Sequence, residues 1–220
     1  MKNKDHIVFF NINSKIQRLL TEAIQQGLKE VRSFLDVCTP LEMLVFYNPY
    51  QMEKSFWTDG SSWGKQTMSI NVNIKKSFSP ARLREFASTI VHEYVHCIRH
   101  GKKIQTLLDA IINEGVSCTT QTELYGPPIY LDFKNTSTDD IQKLWKLWHK
   151  TYLMKSIDAN SSTHFLDYRN TREGGYQLGF YIVTNYADAK KLSPQKLWTC
   201  SINEIKKFAL TLFQKNTKNL

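Results

Sequence analysis

The feature that most constrains the fold is the run STIVHEYVHCIRH at residues 88–100, in which histidines recur every four residues. On an α-helix, residues four apart lie on the same face, about one turn apart. His92 and His96 can therefore direct both imidazoles at one point, and Glu93 lies on the flank of that face, where it can reach a bound water. Two histidines and a glutamate in this order are typical of a helix that binds zinc for hydrolysis.

A zinc site of this kind needs a third protein ligand. Lys102 stands where the pattern HExxHxxGxxH would place a third histidine, so that class of site is excluded. A second helix is predicted to begin at Leu107, which puts Glu114 about 10 Å from its start at 1.5 Å per residue. His96 lies roughly 7–8 Å from the end of the first helix near Gly101. Two antiparallel helices joined by a short loop would bring these side chains to the same height, and Glu114 is therefore the predicted third ligand.

Hydrophobic periodicity predicts the other elements. Apolar residues recur every three or four positions over 14–35, which indicates a long amphipathic helix, and LEMLVFY at 41–47 is typical of a strand. MSINVNI at 68–74 alternates apolar and polar residues, which predicts a strand with one buried face, the other being wet or at the sheet margin. A serine and a proline at 79–80 then start the histidine helix.

The order of these elements predicts an α+β fold. We expect a small mixed or antiparallel sheet, with an edge strand over a zincin active-site helix, followed by a mainly helical C-terminal half. The 220 residues suit a single domain. Its N-terminal helix and sheet would occupy about residues 1–78, and its metal-binding helices and helical lobe about 79–220. In the segment between the strands, Asp59 and Gly60 are expected to form a turn, and GSSWGKQT at 60–67 a hairpin turn rather than a phosphate loop.

Composition narrows the class of protein. Hydrophobic residues make up 41% of the chain and charged residues 22%, which is ordinary for a soluble globular protein. No stretch approaches the roughly 20 apolar residues that span a bilayer, and the N-terminus does not resemble a signal peptide, so we expect no membrane partner and a cytoplasmic location. The four cysteines form no CxxC pair and are expected to be reduced. The net charge of +9 is spread along the chain, which favours a solvated basic surface over a nucleic-acid site.

Several motifs carry a resemblance to known enzymes. HEYVH followed by NEGVSC resembles the arrangement of the gluzincin metallopeptidases, of which thermolysin is the best known. VHEYVHCIR, TLLDAIINEG and GGYQLGFYIV together resemble a bacterial family of predicted zinc-dependent proteases of otherwise unknown function, over about residues 66–210. The resemblance implies one zinc ion, with Glu93 as the general base and three ligands: His92, His96 and Glu114.

One position departs from the thermolysin-like pattern. Cys118 stands where those enzymes have an aspartate that orients a zinc-bound histidine. The orienting group must then come from elsewhere, for example from a backbone carbonyl. Cys97 also lies near the proposed metal, and both thiols are expected to be buried core residues.

The predicted function is hydrolysis of peptide bonds in a peptide or protein substrate by metal-activated water. Tyr176 or Tyr181 in GGYQLGFYIV, or His164 or Arg169, would share the charge of the oxyanion. By analogy with gluzincins, MSINVNI would hold extended substrate along the sheet edge. Three alternatives remain open: a regulatory protease with one narrow target, a small-molecule amide hydrolase, and a non-catalytic metal-containing binding module. The oligomeric state is not predicted.

Overall fold

A computed structural model describes residues 5–47, 57–128, 137–149, 153–156 and 174–216, with side chains described as far as residue 214. The strands are β1 (His6–Phe10), β2 (Glu42–Phe46), β3 (Thr58–Ser62) and β4 (Thr67–Val72). The helices are α1 (Ser14–Leu35), α2 (Pro80–Arg99), α3 (Leu107–Tyr125), α4 (Thr138–His149), α5 (Gly174–Lys190) and α6 (Ile202–Asn216), and a 3₁₀ helix spans Pro194–Thr199. The predicted α+β class is confirmed, with the helices concentrated in the C-terminal half.

The sheet is mixed and has the strand order β1-β2-β4-β3. β1, β2 and β4 are parallel to one another, and β3 runs antiparallel to β4. Parallel neighbours cannot be joined by a tight hairpin, and α1 supplies the crossover between β1 and β2. β1 was not predicted, because its sequence HIVFF has no alternation and its partner lies more than 30 residues away.

The alternating strand at 68–74 corresponds to β4, but the expectation that it lies at the sheet margin is wrong. β4 pairs with β2 on one side and with β3 on the other. Its polar residues do not face water either, since Ser69 is only 5% exposed and Asn71 only 4%. The indole Nε1 of Trp63 donates a hydrogen bond of 2.9 Å to the Ser69 hydroxyl, which gives that polar group a partner. In the described part of the chain β3 and β1 form the two edges of the sheet, and β3 is the edge next to β4.

The Asp59–Gly60 pair is also not a turn. Both residues lie inside β3, opposite Asn71 and Ile70 of β4. The hairpin connection is the four-residue segment 63–66, and the backbone N–H of Trp63 bonds to the carbonyl of Thr67 at 2.8 Å. This connection lies within the hairpin turn predicted at 60–67, whereas the turn predicted at Asp59–Gly60 is wrong; glycine and aspartate suggest a turn because both are favoured there for reasons of local backbone conformation. At Gly60 the glycine serves a packing requirement described below.

The contacts divide the chain into two units, residues 1–101 with 120–130 and residues 102–119 with 131–220. In the first unit α1 packs along α2, and a Cβ on Gly27 would lie 3.0 Å from the carbonyl oxygen of Ala87. Arg32 near the end of α1 donates to both carboxylate oxygens of Asp5 at 2.7 and 2.6 Å. That pair ties the start of β1 to α1.

In the second unit α3 and α5 cross with their backbones in close contact. A Cβ on Gly115 would lie 2.2 Å from the carbonyl oxygen of Gly179. At the start of α3, the Asp109 carboxylate accepts hydrogen bonds from the backbone N–H groups of Gln105 and Thr106, which caps the helix. Lys206 of α6 also donates to Asp109, at 2.8 Å.

The single-domain organisation expected from length stays a prediction. No helix in the described residues is long and apolar enough to cross a bilayer.

Candidate metal centre

The histidine helix α2 is held on several sides. It begins as predicted, with the Ser79 hydroxyl accepting from the backbone N–H of Arg82 at 3.3 Å and Pro80 in the first turn. Within the motif, the Tyr94 hydroxyl donates to the carbonyl of Val37 at 2.9 Å and accepts from the N–H of Thr39 at 3.0 Å. Tyr94 therefore fixes α2 to the segment that joins α1 and β2.

The two histidines of the motif face each other. The Nε2 atoms of His92 and His96 are 3.0 Å apart, and the rings are nearly perpendicular, at 65° with centroids 4.8 Å apart. His92 is buried and His96 is partly buried. Two ring nitrogens aimed at one point from adjacent turns of a helix are the geometry that the sequence predicts for a pair of metal ligands.

Helix α3 runs antiparallel to α2, and contacts along its C-terminal part establish this. Arg84 lies over the ring of Tyr125, with its guanidinium carbon 5.3 Å from the ring centroid. One turn further along α2, Ser88 accepts a hydrogen bond from Gln121. Glu114 precedes Gln121 by seven residues, which is two turns of the same helix and about 10 Å. It therefore shares a helix face with Gln121.

His92, His96 and Glu114 form a group that could hold a metal ion. Each offers one ligand atom, and these atoms all lie within 4.8 Å of one another. Zinc ligands about 2.0–2.2 Å from the ion are separated from each other by about 3.3 Å in a tetrahedral site. The two imidazole nitrogens, 3.0 Å apart, are close to that spacing. Glu114 is a long, partly buried side chain, and its carboxylate can approach the two nitrogens further by rotation about its side-chain bonds. The donor set of two nitrogens and one carboxylate oxygen fits zinc.

Glu93 lies directly beneath the marginal strand β3. A Cβ on Gly60 would be 2.5 Å from Cγ of Glu93 and 2.8 Å from its Oε1. No residue with a side chain fits there unless Glu93 moves, so Gly60 leaves the space that the carboxylate occupies. Glu93 itself is only 6% exposed. A buried carboxylate next to His92 and beside an accessible strand is well placed to exchange a proton with a water at the candidate metal site.

The outer edge of β3 presents backbone groups. Asn73 donates its N–H to the carbonyl of Trp57 at 2.8 Å, and Trp63 pairs with Thr67 in the same ladder. Because such pairs recur every second residue in an antiparallel ladder, the intervening residues direct their N–H and C=O groups away from β4. These are Thr58, Gly60 and Ser62. The N–H of Gly60 bonds to the carboxylate of its neighbour Asp59 at 2.9 Å.

A residue that the sequence analysis missed contacts the first histidine. Gln121 of α3 is 1% exposed, and its Oε1 lies 3.2 Å from Nδ1 of His92. No motif contains it, but its distance of seven residues from Glu114 on one helix is a signal that could have identified it. Cys118, at the position where the thermolysin-like pattern has aspartate, is buried.

The remaining candidates fall in different places. Tyr176 is a partly buried residue of α5, one turn before the glycine that meets α3. Tyr181 packs against Phe213 of α6, with ring centroids 6.1 Å apart, which is a core contact. His164 and Arg169 lie outside the described residues.

Burial and the nearby Glu93 charge raise the pKa of the Cys97 thiol to about 12, so that group stays protonated.

The comparisons with known proteins agree with this centre. A family model described as "Predicted Zn-dependent protease (DUF2268)" matches residues 16–207, which is most of the chain. No curated protein and no solved structure matches.

Proposed function

Because the chain belongs to this family of predicted Zn-dependent proteases, we propose that it is a metallopeptidase of the gluzincin type that hydrolyses peptide bonds. The observation that carries the proposal is the meeting of three ligand atoms from His92, His96 and Glu114 within 4.8 Å. A single zinc ion held by them would leave one coordination position for water or substrate.

A zinc ion held by these residues would act as a Lewis acid and would lower the pKa of a bound water to about 7. Glu93 is the proposed general base. Its carboxylate receives a proton from the attacking water and then passes it to the leaving amine. The carboxylate has no room to swing towards β3, because Gly60 is in contact with it. We infer that this contact holds Glu93 in the position for proton transfer.

The proposed substrate-binding element is β3. An extended peptide that pairs with its outer edge would bond to the backbone groups of Thr58, Gly60 and Ser62. The peptide segment opposite Gly60 would then lie next to Glu93, where the scissile bond must be. Backbone pairing of this kind favours a peptide or protein substrate over a small amide, which has no extended backbone to offer.

Tyr176 is the proposed oxyanion donor. It lies on α5, three residues before Gly179, whose carbonyl oxygen is in contact range of Gly115. Gly115 directly follows Glu114 in α3. The glycine crossing thus brings the helix that carries Tyr176 against the helix that carries a proposed ligand. If the Tyr176 hydroxyl stabilises the transition state, replacement of Tyr176 by phenylalanine should lower kcat and leave KM nearly unchanged.

Metal analysis of three proteins tests the proposal. Wild type should contain about one zinc per chain. Glu114→Ala should lose the metal, and Glu93→Gln should keep it but fail to cleave a broad peptide library. Full metal retention by Glu114→Ala would show that the ligand assignment is wrong. If the protein cleaves a single protein target and no peptide in the library, it is a narrow regulatory protease. If Glu93→Gln is fully active, Glu93 is not the general base.

A further inference from the structure

Three buried polar groups form a directional chain that ends at the first histidine. The Nε2 amide of Gln121 donates to the hydroxyl of Ser88 at 2.8 Å, and its Oε1 lies 3.2 Å from Nδ1 of His92. Gln121 is 1% exposed and Ser88 is 5% exposed. Buried polar groups are costly to leave without partners, and because a serine hydroxyl and a neutral imidazole can each donate or accept, this chain can be satisfied in either direction.

The direction of the chain follows from the role of His92. Its Nε2 faces His96 at 3.0 Å, so this nitrogen is the one that can bind a metal. A neutral imidazole that ligates through Nε2 carries its proton on Nδ1 and needs an acceptor there. Only the Oε1 end of the Gln121 amide can accept, and its NH₂ end must then donate to Ser88. The Ser88 hydroxyl accepts from that NH₂ group and so stabilises the amide in this orientation.

We propose that Gln121 is the positioning residue of this metal centre and takes the place of the aspartate that the thermolysin-like pattern has four residues after the glutamate ligand. It fixes the tautomer and the ring orientation of His92, with Ser88 fixing the amide in turn. The acceptor is a neutral amide in place of a carboxylate. This inference rests on the metal site proposed above, but not on the identity of the substrate.

The zinc dissociation constant, measured by competition with a chelator, tests the inference without any substrate. Gln121→Met has a similar shape but no acceptor, and it should bind zinc about 10–100-fold more weakly, as is typical when the partner of a metal-bound histidine is lost. Gln121→Glu keeps an acceptor oxygen and should retain the affinity. Glu123→Met, an exposed change two residues further along α3, is the matched control and should bind as wild type. Unchanged affinity in Gln121→Met would overturn the inference.

The tautomer of His92 gives a second readout in the metal-free protein. Long-range proton–nitrogen spectra at a pH where the imidazoles are neutral should show the proton of His92 on Nδ1 in wild type. Ser88→Ala should reduce that population, since the NH₂ group of Gln121 then loses the hydroxyl that accepts from it. Ser88→Ala added to Gln121→Met should have no further effect on zinc affinity. An unchanged tautomer in Ser88→Ala, or additive losses in the double variant, would contradict the chain.

The two proposals can fail separately. If wild type binds zinc but cleaves no peptide, the protease proposal fails, while the affinities and tautomers of the Gln121 variants still decide the role of Gln121. If Gln121→Met does not fold, the spectra of Ser88→Ala and Gln121→Glu decide it. If Cys118→Ala weakens zinc binding and Gln121→Met does not, the orienting group lies at the position that the thermolysin-like pattern assigns, and the inference is wrong.

Discussion

Gly60 of β3 and Glu93 of α2 are in direct contact, with the position of a Cβ on the glycine only 2.5 Å from Cγ of the glutamate. The strand proposed to bind substrate and the group proposed to move the proton are therefore positioned by the same contact. A peptide paired with β3 would lie next to the Glu93 carboxylate, because Gly60 has no side chain to separate them.

We expect Gly60→Ala to lower kcat by about 100-fold, the lower end of what a general base contributes. The added methyl group must displace Glu93, while the proposed ligands His92, His96 and Glu114 are unchanged, so zinc content should stay at wild-type level. Steady-state kinetics with a peptide substrate and metal analysis check both parts. Gly64→Ala is the control, since a Cβ there meets no atom within 4 Å. Equal activity of the two variants would contradict the role given to the contact.

Gly115→Ala should destabilise the protein. Helix propensity alone predicts a gain of up to about 1 kcal/mol for glycine to alanine within a helix. The new Cβ would, however, lie 2.2 Å from the carbonyl oxygen of Gly179, and overpacking of this kind costs about 1–3 kcal/mol. Urea denaturation should therefore give a lower free energy of unfolding. An increase would mean that α3 and α5 can separate at little cost.

The pair of Asp109 and Lys206 should make stability depend on pH in the acid range. Burial acts to raise the pKa of the Asp109 carboxyl, but hydrogen bonds from Lys206 and from the N–H groups of Gln105 and Thr106 outweigh it, and the pKa lies below its usual value. A carboxyl whose pKa is lower in the folded state stabilises the fold above its unfolded pKa of about 3.9, and that stabilisation is lost as the pH falls through the folded value.

Asp109→Asn should therefore unfold more easily at neutral pH, by about 1.5–3 kcal/mol for a hydrogen bond to a charged group. It should also lose the part of the acid sensitivity that this carboxyl contributes. Denaturation curves at several pH values measure both effects. In a double-mutant cycle with Lys206→Met, the two changes should be clearly non-additive. Additive effects would show that the 2.8 Å contact contributes little.

Alkylation should distinguish the cysteines. All four are reduced, but Cys38 is exposed whereas Cys97 and Cys118 are buried. The raised pKa of Cys97, near 12, leaves almost no thiolate at neutral pH. Treatment of the native protein with iodoacetamide should label Cys38 first, and mass spectrometry should detect Cys97 and Cys118 adducts only after denaturation. Early labelling of Cys97 would place it in an open, reactive site.

The sequence predicts elements whose signals are local. The bounds of α1 follow from its apolar stripe, and the start of α2 follows from Ser79, whose hydroxyl caps the helix. The grouping of His92, His96 and Glu114 depends on helix rise and a short connection, which are also local quantities. Glu114 was therefore predictable from the geometry of two helices.

Long-range pairing was not predictable in this way. β3 has the sequence TDGSS, which contains no apolar alternation because its glycine accommodates Glu93 and its outer edge faces no other described strand. β4 was placed at the margin because its polar residues suggest water, whereas Ser69 bonds to an indole from the adjoining turn. The partner of His92 on α3 escaped notice because a glutamine has no motif of its own.

The edge strand β3 also affects how the protein behaves at high concentration. An open row of backbone groups can join with the same row of another molecule and nucleate fibrils. Here the row is only five residues long, and Asp59 bonds to the central N–H with its own carboxylate. If β3 strands of two molecules paired, their Asp59 carboxylates would lie close together and repel each other. A peptide that has no acidic residue at that position can displace the Asp59 carboxylate without such repulsion. The edge of β3 therefore favours pairing with such a peptide over pairing with β3 of a second molecule.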